Sequence, residues 1–316
     1  MSTFLTRASS INRALDQIGD KWCLLIIQEV FWGINSFSEM MAATGVSKSV
    51  LSDRLLWLQT MGCLNKAPLV AGGKRMGYHL TTKSIELYDC ALMAIAWERK
   101  FFIEPSLDQV QLTHSCCNHT FQPGMECQNC AGSIDPWDVN YQPGPGATQD
   151  EREKKVRRRS SISVLQVPSD RSLYKNLIHI VGDRWSANLT ALAFHGLCRF
   201  DEFHRELPIA TNILTDRLKF LVGADIFTQI AYQQRPSRYE YQLTNKGLSL
   251  FPWFISLLQW GDKWCGSATA GNPVQLTHTA CNQPLHGQVV CSHCHGVLRA
   301  HEVIFALGNE SAVVPG

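Results

Sequence analysis

The sequence predicts a mainly α (α+β) chain that uses one module twice. Three observations carry this. Gly19-Asp20-Lys21-Trp22 returns as Gly182-Asp183-Arg184-Trp185. Leu51-Ser52-Asp53-Arg54-Leu55 returns as Leu214-Thr215-Asp216-Arg217-Leu218, and Tyr78-His79-Leu80-Thr81 as Tyr241-Gln242-Leu243-Thr244, all at an offset of 163 residues. A Cys/His set then repeats at an offset of 164: His114/His278, Cys117/Cys281, Cys127/Cys291 and Cys130/Cys294. Each copy is about 130 residues, enough for a core of its own, so the repeat is a tandem duplication and not a short-period array.

The elements follow in order. Residues 9–18 and 22–31 read as two helices broken at Gly19-Asp20, with Asp20 as N-cap and Trp22, Leu25, Ile26 and Val30 at helical spacing. Ser36 to Glu39 has the capping-box pattern that opens a short helix. Ser47 caps the next helix, Lys48 to Met61, whose inward stripe is Val50, Leu51, Leu55 and Leu58. An apolar segment from Cys63 to Val70, a Gly-rich turn and a strand from Gly77 to Leu80 make a β-hairpin. Thr81 then opens one long helix to about Phe102. The second copy predicts helices at 170–181, 184–196, 200–206 and 211–223, a hairpin over 226–243 and a closing helix over 245–264. Short helices, a two-stranded hairpin and a closing helix make a winged helix-turn-helix. The boundaries are 1–105 and 169–266 for the two winged helices, 106–139 and 267–308 for the Cys/His extensions, and 140–168 for a linker.

Within the linker, Gln142-Pro143-Gly144-Pro145-Gly146 predicts irregular chain. The run with Lys154, Lys155, Arg157, Arg158 and Arg159 reads either as a solvated tether or as a basic arm. A flexible linker of about 28 residues spans roughly 30 Å. Half-sites one DNA turn apart lie about 34 Å apart, so two copies could share one duplex.

The chain of 316 residues is 45% hydrophobic and 18% charged, a globular composition. No apolar run reaches the ~20 residues of a membrane span, and the N-terminus lacks a signal-peptide pattern. The expectation is a cytoplasmic protein whose twelve cysteines are thiols or metal ligands. Cys23, Cys63, Cys90, Cys198 and Cys265 read as small core residues. With a net charge of +2, nucleic-acid binding must rest on local charge.

The spacings His114-x2-Cys117-x9-Cys127-x2-Cys130 and His278-x2-Cys281-x9-Cys291-x2-Cys294 each offer four N/S ligands in two tight turns. A full set of four matches a closed structural zinc site, giving two sites, one per extension. Ordinary thiols in a degenerate knuckle, or a redox switch, are the other readings. Cys116, His119, His286, His293 and His295 are alternative donors.

Gly-Asp-Lys/Arg-Trp, the Phe-x-Glu of Phe37 to Glu39 and Phe200 to Glu202, Leu-Ser/Thr-Asp-Arg-Leu and Tyr-x-Leu-Thr together resemble the HxlR-type winged-helix transcriptional regulators. The likeness covers about 5–105 and 168–265, and the wing from Arg235 to Gly247 is the fuller match. Longer family members resemble this chain in a Cys/His extension ending in Pro-Gly-Pro. The resemblance implies a sequence-specific DNA-binding regulator of double-stranded DNA. Family members pair as homodimers, so two modules in one chain imply an intramolecular pseudo-dimer, with further dimerisation left open. Ser9 and Ser172 stand where some members carry a sensing cysteine. A thiol switch there is not expected.

In such a fold the start of the second helix of the motif meets base edges. Those residues are Ser47, Lys48, Ser49 and Ser52, with Arg54, in copy one, and Thr211, Asn212 and Thr215, with Arg217, in copy two. Asn reads adenine, and Ser or Thr reaches bases or phosphates. Arg54 and Arg217 each follow an Asp and have a second reading as residues that orient the helix. Lys74, Arg75, Arg235 and Arg238 stand at the wing tips, where they meet phosphates or are solvated turn charges. Trp22, Trp185, Trp97 and Trp260 read as core, or as the lining of a small-molecule effector pocket between first and last helices. No phosphate loop or nucleophile–base pattern stands out, so an enzyme is not expected. A protein-interaction scaffold is the alternative function.

Overall fold

The computed structural model describes residues 3–102, 110–153, 173–266 and 271–307. The chain forms two compact units. One is built on the first winged helix (17–126) and adds 164–182 and 288–316. The other is built on the second winged helix (183–287) and adds 1–16 and 127–163. Each unit therefore contains a leading-helix segment and a Cys-x2-Cys turn that the sequence places in the other copy.

In the first-copy unit, helices Lys21–Phe31, Phe37–Thr44 and Lys48–Thr60 precede an antiparallel hairpin, Leu64–Pro68 with Met76–Leu80. Asp20 accepts the Trp22 N–H at 3.0 Å and starts the first of these helices. Ser36 accepts the Glu39 N–H, one half of the capping box expected; the Glu39 carboxylate accepts from the Ser36 hydroxyl and not from its N–H. Gly45 ends that helix at a positive φ of 65°, which a Cβ would oppose. Leu51, Leu55 and Leu58 are buried as the stripe required, while Val50 is only half-buried. The expected single closing helix is two: Thr82–Ile85, then Tyr88–Phe101. The Ser84 hydroxyl donates to the Cys63 carbonyl and accepts the Thr81 N–H, tying the short turn to the hairpin before the long helix begins.

The second-copy unit repeats this with helices Arg184–Phe194, Phe200–Glu206 and Thr211–Gly223, a longer hairpin (Phe227–Gln234 with Ser237–Leu243) and closing helices Asn245–Leu248 and Phe251–Cys265. Trp97 and Trp260 are buried on the closing helices, as expected. Trp22 and Trp185 are not core. They are half-buried, with Lys21 Nζ 5.2 Å and the Arg184 guanidinium 4.5 Å from their ring centres. Cys23, Cys63 and Cys90 are buried; Cys198 and Cys265 are partly exposed.

The added segments are bonded in. In the first-copy unit, Glu98 is 1% exposed and accepts from Leu177 N at 2.7 Å and Asn176 Nδ2 at 2.9 Å. It thereby satisfies the first turn of helix Lys175–Val181. Charge-assisted bonds of this kind are worth about 1.5–3 kcal/mol, so Glu98→Ala is expected to lower unfolding free energy by about 2 kcal/mol in urea melts. In the second-copy unit, Arg13 donates twice to Asp150, at 2.9 and 2.6 Å, and Ser10 Oγ donates to Asp262 at 2.5 Å.

The expected linker is partly regular. Val139–Pro143 pairs antiparallel with Val274–His278, and Gln149–Glu153 with Thr3–Arg7. Pro143 closes the end of its ladder, where a missing N–H matters least. A Cβ on Gly144 would lie 2.2 Å from the Asn272 carbonyl oxygen, and one on Gly146 would lie 2.2 Å from that of Gly271. These glycines permit backbone contact and are not merely loop formers. The basic run Lys154 to Arg159 lies outside the described residues. No helix among the described residues is long and apolar enough to cross a membrane.

Candidate nucleic-acid interface and metal centres

Helix Lys48–Thr60 leaves Ser47, Lys48, Ser49 and Ser52 exposed along its start. Ser47 holds the N-cap position without a capping side-chain bond, and its hydroxyl lies 3.3 Å from that of Ser49. In helix Thr211–Gly223, Thr211 and Asn212 are exposed and Thr215 is half-exposed, its hydroxyl donating to the Thr211 carbonyl at 2.8 Å. Lys74, Arg75 and Arg235 are exposed on the hairpin turns and Arg238 on the strand just after.

Arg54 and Arg217 sit differently. Arg54 donates to both carboxylate oxygens of Asp20, at 2.9 and 3.1 Å. Arg217, 7% exposed, donates from Nε to Asp183 at 2.5 Å. Asp183 also accepts from Ser186 N and Oγ at 3.1 and 3.0 Å. The carboxylate that caps one helix thus fixes the helix that follows the turn. The Asp of Gly-Asp-Lys/Arg-Trp and the Arg of Leu-Ser/Thr-Asp-Arg-Leu are partners 34 residues apart. Sequence reasoning looked for the partner at the adjacent Asp53 and Asp216. The equal Asp-to-Arg spacing in both copies was the signal that could have found it.

All eight predicted metal ligands lie in two clusters, but the grouping differs from the sequence expectation. His114 and Cys117 join Cys291 and Cys294 in the first-copy unit; His278 and Cys281 join Cys127 and Cys130 in the second-copy unit. The expected grouping, one site per extension, is overturned. Strand pairing is the physical reason. Val110–His114 pairs with Val303–Leu307, and Val274–His278 with Val139–Pro143, so each His-bearing strand lies beside the strand that follows the other copy's Cys-x2-Cys.

The local turns are built for ligation. Asn118 and Asn282 follow each His-x2-Cys at positive φ (56° and 54°), with their N–H groups on the His114 and His278 carbonyls. Ala131 and His295 do the same after each Cys-x2-Cys. Cysteine sulfur lies 3.3 to 3.7 Å from His Nδ1, as in Cys294–His114 (3.3), Cys130–His278 (3.4), Cys281–His278 (3.6) and Cys117–His114 (3.7). Cys117–Cys291 and Cys127–Cys281 sulfurs are 4.0 Å apart. A tetrahedral ion about 2.3 Å from sulfur and about 2.0 Å from nitrogen sets S···S edges of about 3.8 Å and S···N edges of about 3.5 Å. The donor sets fit such an ion and are too wide for disulfides. A Cβ on Gly132 or Gly296 would sit 3.3 Å from Cys130 or Cys294 sulfur, so these glycines let the turns close over the ligands. Backbone N–H donation at Gly296 holds the Cys294 thiol below its ordinary value, whereas desolvation raises Cys117. Nδ1 of each histidine faces the sulfurs and is the atom placed to ligate, while Nε2 is buried without a partner among the described residues. Cys116 is exposed and groups with His114 and Glu302 instead. His119 stacks on His293 at 3.7 Å and His295 bonds Glu126 at 2.7 Å. His286 likewise lies outside the clusters found among the described residues.

The sequence matches the HxlR-like helix-turn-helix family over residues 17–105 and again over 180–269, more than half of the chain. The chain belongs to the HxlR family. An uncharacterized HTH-type transcriptional regulator of Mycobacterium tuberculosis is 34% identical over 126 residues, 40% of this chain and 79% of that protein. The uncharacterized HTH-type transcriptional regulator YdeP of Bacillus subtilis is 32% identical over 88 residues, 28% of this chain and 69% of that protein. The crystal structure of PA1607, a candidate transcription factor, aligns with 43% of this chain and 92% of its own at 32% identity and a TM-score of 0.37. As a chain with two HxlR modules, this protein carries an Asp–Arg clamp in each of them. Ser9 accepts the Asn12 N–H at 3.2 Å at the start of the leading helix; Ser172 lies outside the described residues.

Proposed function

We propose that this HxlR protein is a sequence-specific DNA-binding regulator acting as a single-chain pseudo-dimer, with one structural zinc ion in each Cys/His cluster. The observation that carries the DNA reading is the exposed start of both second helices, each anchored from behind by an Asp–Arg pair. Ser47, Lys48, Ser49, Ser52, Thr211, Asn212 and Thr215 are assigned to base edges and nearby phosphates. Lys74, Arg75, Arg235 and Arg238 are assigned to the backbone. Arg54 and Arg217 are assigned to positioning. The pseudo-dimer reading is supported by the composition of the units, each of which borrows segments from the other copy. Zinc is favoured because three thiolates and one imidazole per cluster are soft, tetrahedral donors with no place left for water. The ion would supply folding energy rather than chemistry. Because the two recognition helices differ, the operator is not a perfect palindrome.

The test begins with DNA recovered by pull-down from a genomic library and titrated at several salt concentrations. Affinity is expected to fall steeply with salt as counterions are released. The longer second wing is expected to contribute more: Arg235→Ala with Arg238→Ala should weaken binding further than Lys74→Ala with Arg75→Ala. The log–log salt slope should fall by about 2 for the two lost phosphate contacts. Equal losses would refute the unequal wings. Absence of any DNA binding at low salt would refute the regulator reading and favour a docking scaffold.

A further inference from the structure

Each unit has an aromatic-lined cleft among its described residues, open to solvent and of similar size in both. They occupy the same position in the module, because their linings match at the repeat offset. Gln28, Phe31, Trp32, Tyr88, Tyr174 and Phe305 line the first-copy cleft. Their counterparts are Ala191, Phe194, His195, Phe251, Ile11 and Tyr141. Chemistry has diverged where volume has not. Gln28 is 2% exposed and Tyr88 4%. Gln28 Nε2 donates to Glu29 at 3.2 Å, which fixes the amide and leaves Oε1 as its free end. Gln28 Oε1 and the Tyr88 hydroxyl have no partner among the described residues. The second-copy cleft replaces these two groups with a methyl and a phenyl, Ala191 and Phe251.

Buried polar groups are nearly always satisfied, and each one left alone needs a reason. Here the two groups share one cleft whose other walls are aromatic and aliphatic, the latter from Ala91, Ile95 and Leu173. Phe305 stands edge-on to Trp32 at 5.5 Å and to Tyr88 at 6.3 Å. Desolvation also raises the pKa of the Tyr88 and Tyr174 phenols, which keeps both protonated and able to donate. We propose that the first-copy cleft binds one small, neutral, planar aromatic molecule carrying a hydrogen-bond donor for Gln28 Oε1 and an acceptor for the Tyr88 hydroxyl. The second-copy cleft lacks that pair and takes no such ligand, so the chain binds one molecule and not two. The ring provides apolar burial, and the polar pair provides selection, since an analogue lacking either group leaves a buried atom unpaired.

The experiment titrates full-length, metal-loaded protein with benzamide and 4-hydroxybenzamide by ligand-observed NMR and calorimetry, without DNA. Expected is saturable binding at one site per chain. Gln28→Ala with Tyr88→Phe, the residues of the other cleft, should weaken it about tenfold or more. Ala191→Gln with Phe251→Tyr should leave the first site intact. Acetophenone, which lacks the donor, should bind more weakly than benzamide. Should the double variant melt below wild type, Tyr88→Phe alone is expected to weaken binding severalfold. Two equal sites, no saturable binding of either amide, or undiminished affinity in the folded Gln28/Tyr88 variants would overturn the proposal.

Discussion

A chain carrying Cys117→Ser and Cys294→Ser together is expected to retain one metal ion of two, whereas Cys117→Ser with Cys127→Ser retains none. The first pair removes two ligands from the same cluster and the second removes one from each. Grouping by sequence proximity predicts the reverse. Each count is read by elemental analysis after dialysis against a weak chelator, so the outcome does not depend on activity. Three ligands hold a structural ion far less well than four, and apparent binding free energies for such sites are about 10–16 kcal/mol. Loss of such an ion would therefore remove more folding free energy than loss of a typical single contact. In the first-copy unit the consequence is topological. An ion there would join residues 114–117 to 291–294; without it, strand pairing of 110–114 with 303–307 and of 123–127 with 287–291, and scattered hydrogen bonds, hold that C-terminal segment. Protease sensitivity near 291–307 should accordingly rise in the Cys294→Ser chain. One ion remaining in Cys117→Ser with Cys127→Ser would sink the crossed arrangement.

That arrangement marks the boundary of what the sequence could say. The repeat, the helices and their caps were legible because they depend on local patterns: Asp20 and Ser36 cap as their positions imply, and Leu51, Leu55 and Leu58 turn inward. The eight ligands were legible by residue type and spacing. Their grouping was not, because two identical half-sites in one chain can pair within a copy or across copies at equal local energy. Long-range strand register decides between them, and register has no signature at the ligands themselves. The linker was misread for a related reason. Gly144 and Gly146 look like loop formers until the backbone of Gly271 and Asn272 lies against them. The break between Thr82–Ile85 and Tyr88–Phe101 likewise depends on Ser84 reaching Cys63, a contact that helical periodicity does not encode.

Arg217→Ala is expected to lower stability by about 3 kcal/mol and Arg54→Ala by about 1 kcal/mol, with Asp183→Ala costing about 1 kcal/mol more than Arg217→Ala because it also removes the cap on Ser186. Removing one partner of a buried pair costs about 3–5 kcal/mol because the other charge is left unpaired. Arg217 and Asp183 side chains are 9% and 17% exposed, close to that limit. Arg54 and Asp20 are 28% and 21% exposed, so water screens the pair and the loss approaches that of a surface bridge. The same substitutions separate positioning from contact. If Arg217 only holds helix Thr211–Gly223 against Asp183, the two single variants and the double variant lose similar DNA affinity. The coupling energy is then large, and the salt slope stays at its wild-type value. A guanidinium on a phosphate behaves otherwise: removing it lowers the slope by about 0.9, and substituting Asp183 does not imitate it. Urea melts with a double-mutant cycle, alongside binding at two salt concentrations, distinguish the cases. Additive losses with a reduced slope would return Arg217 to the DNA surface. Non-additive losses at constant slope would show that the paired family motifs of this chain aim the reading helix without touching what it reads.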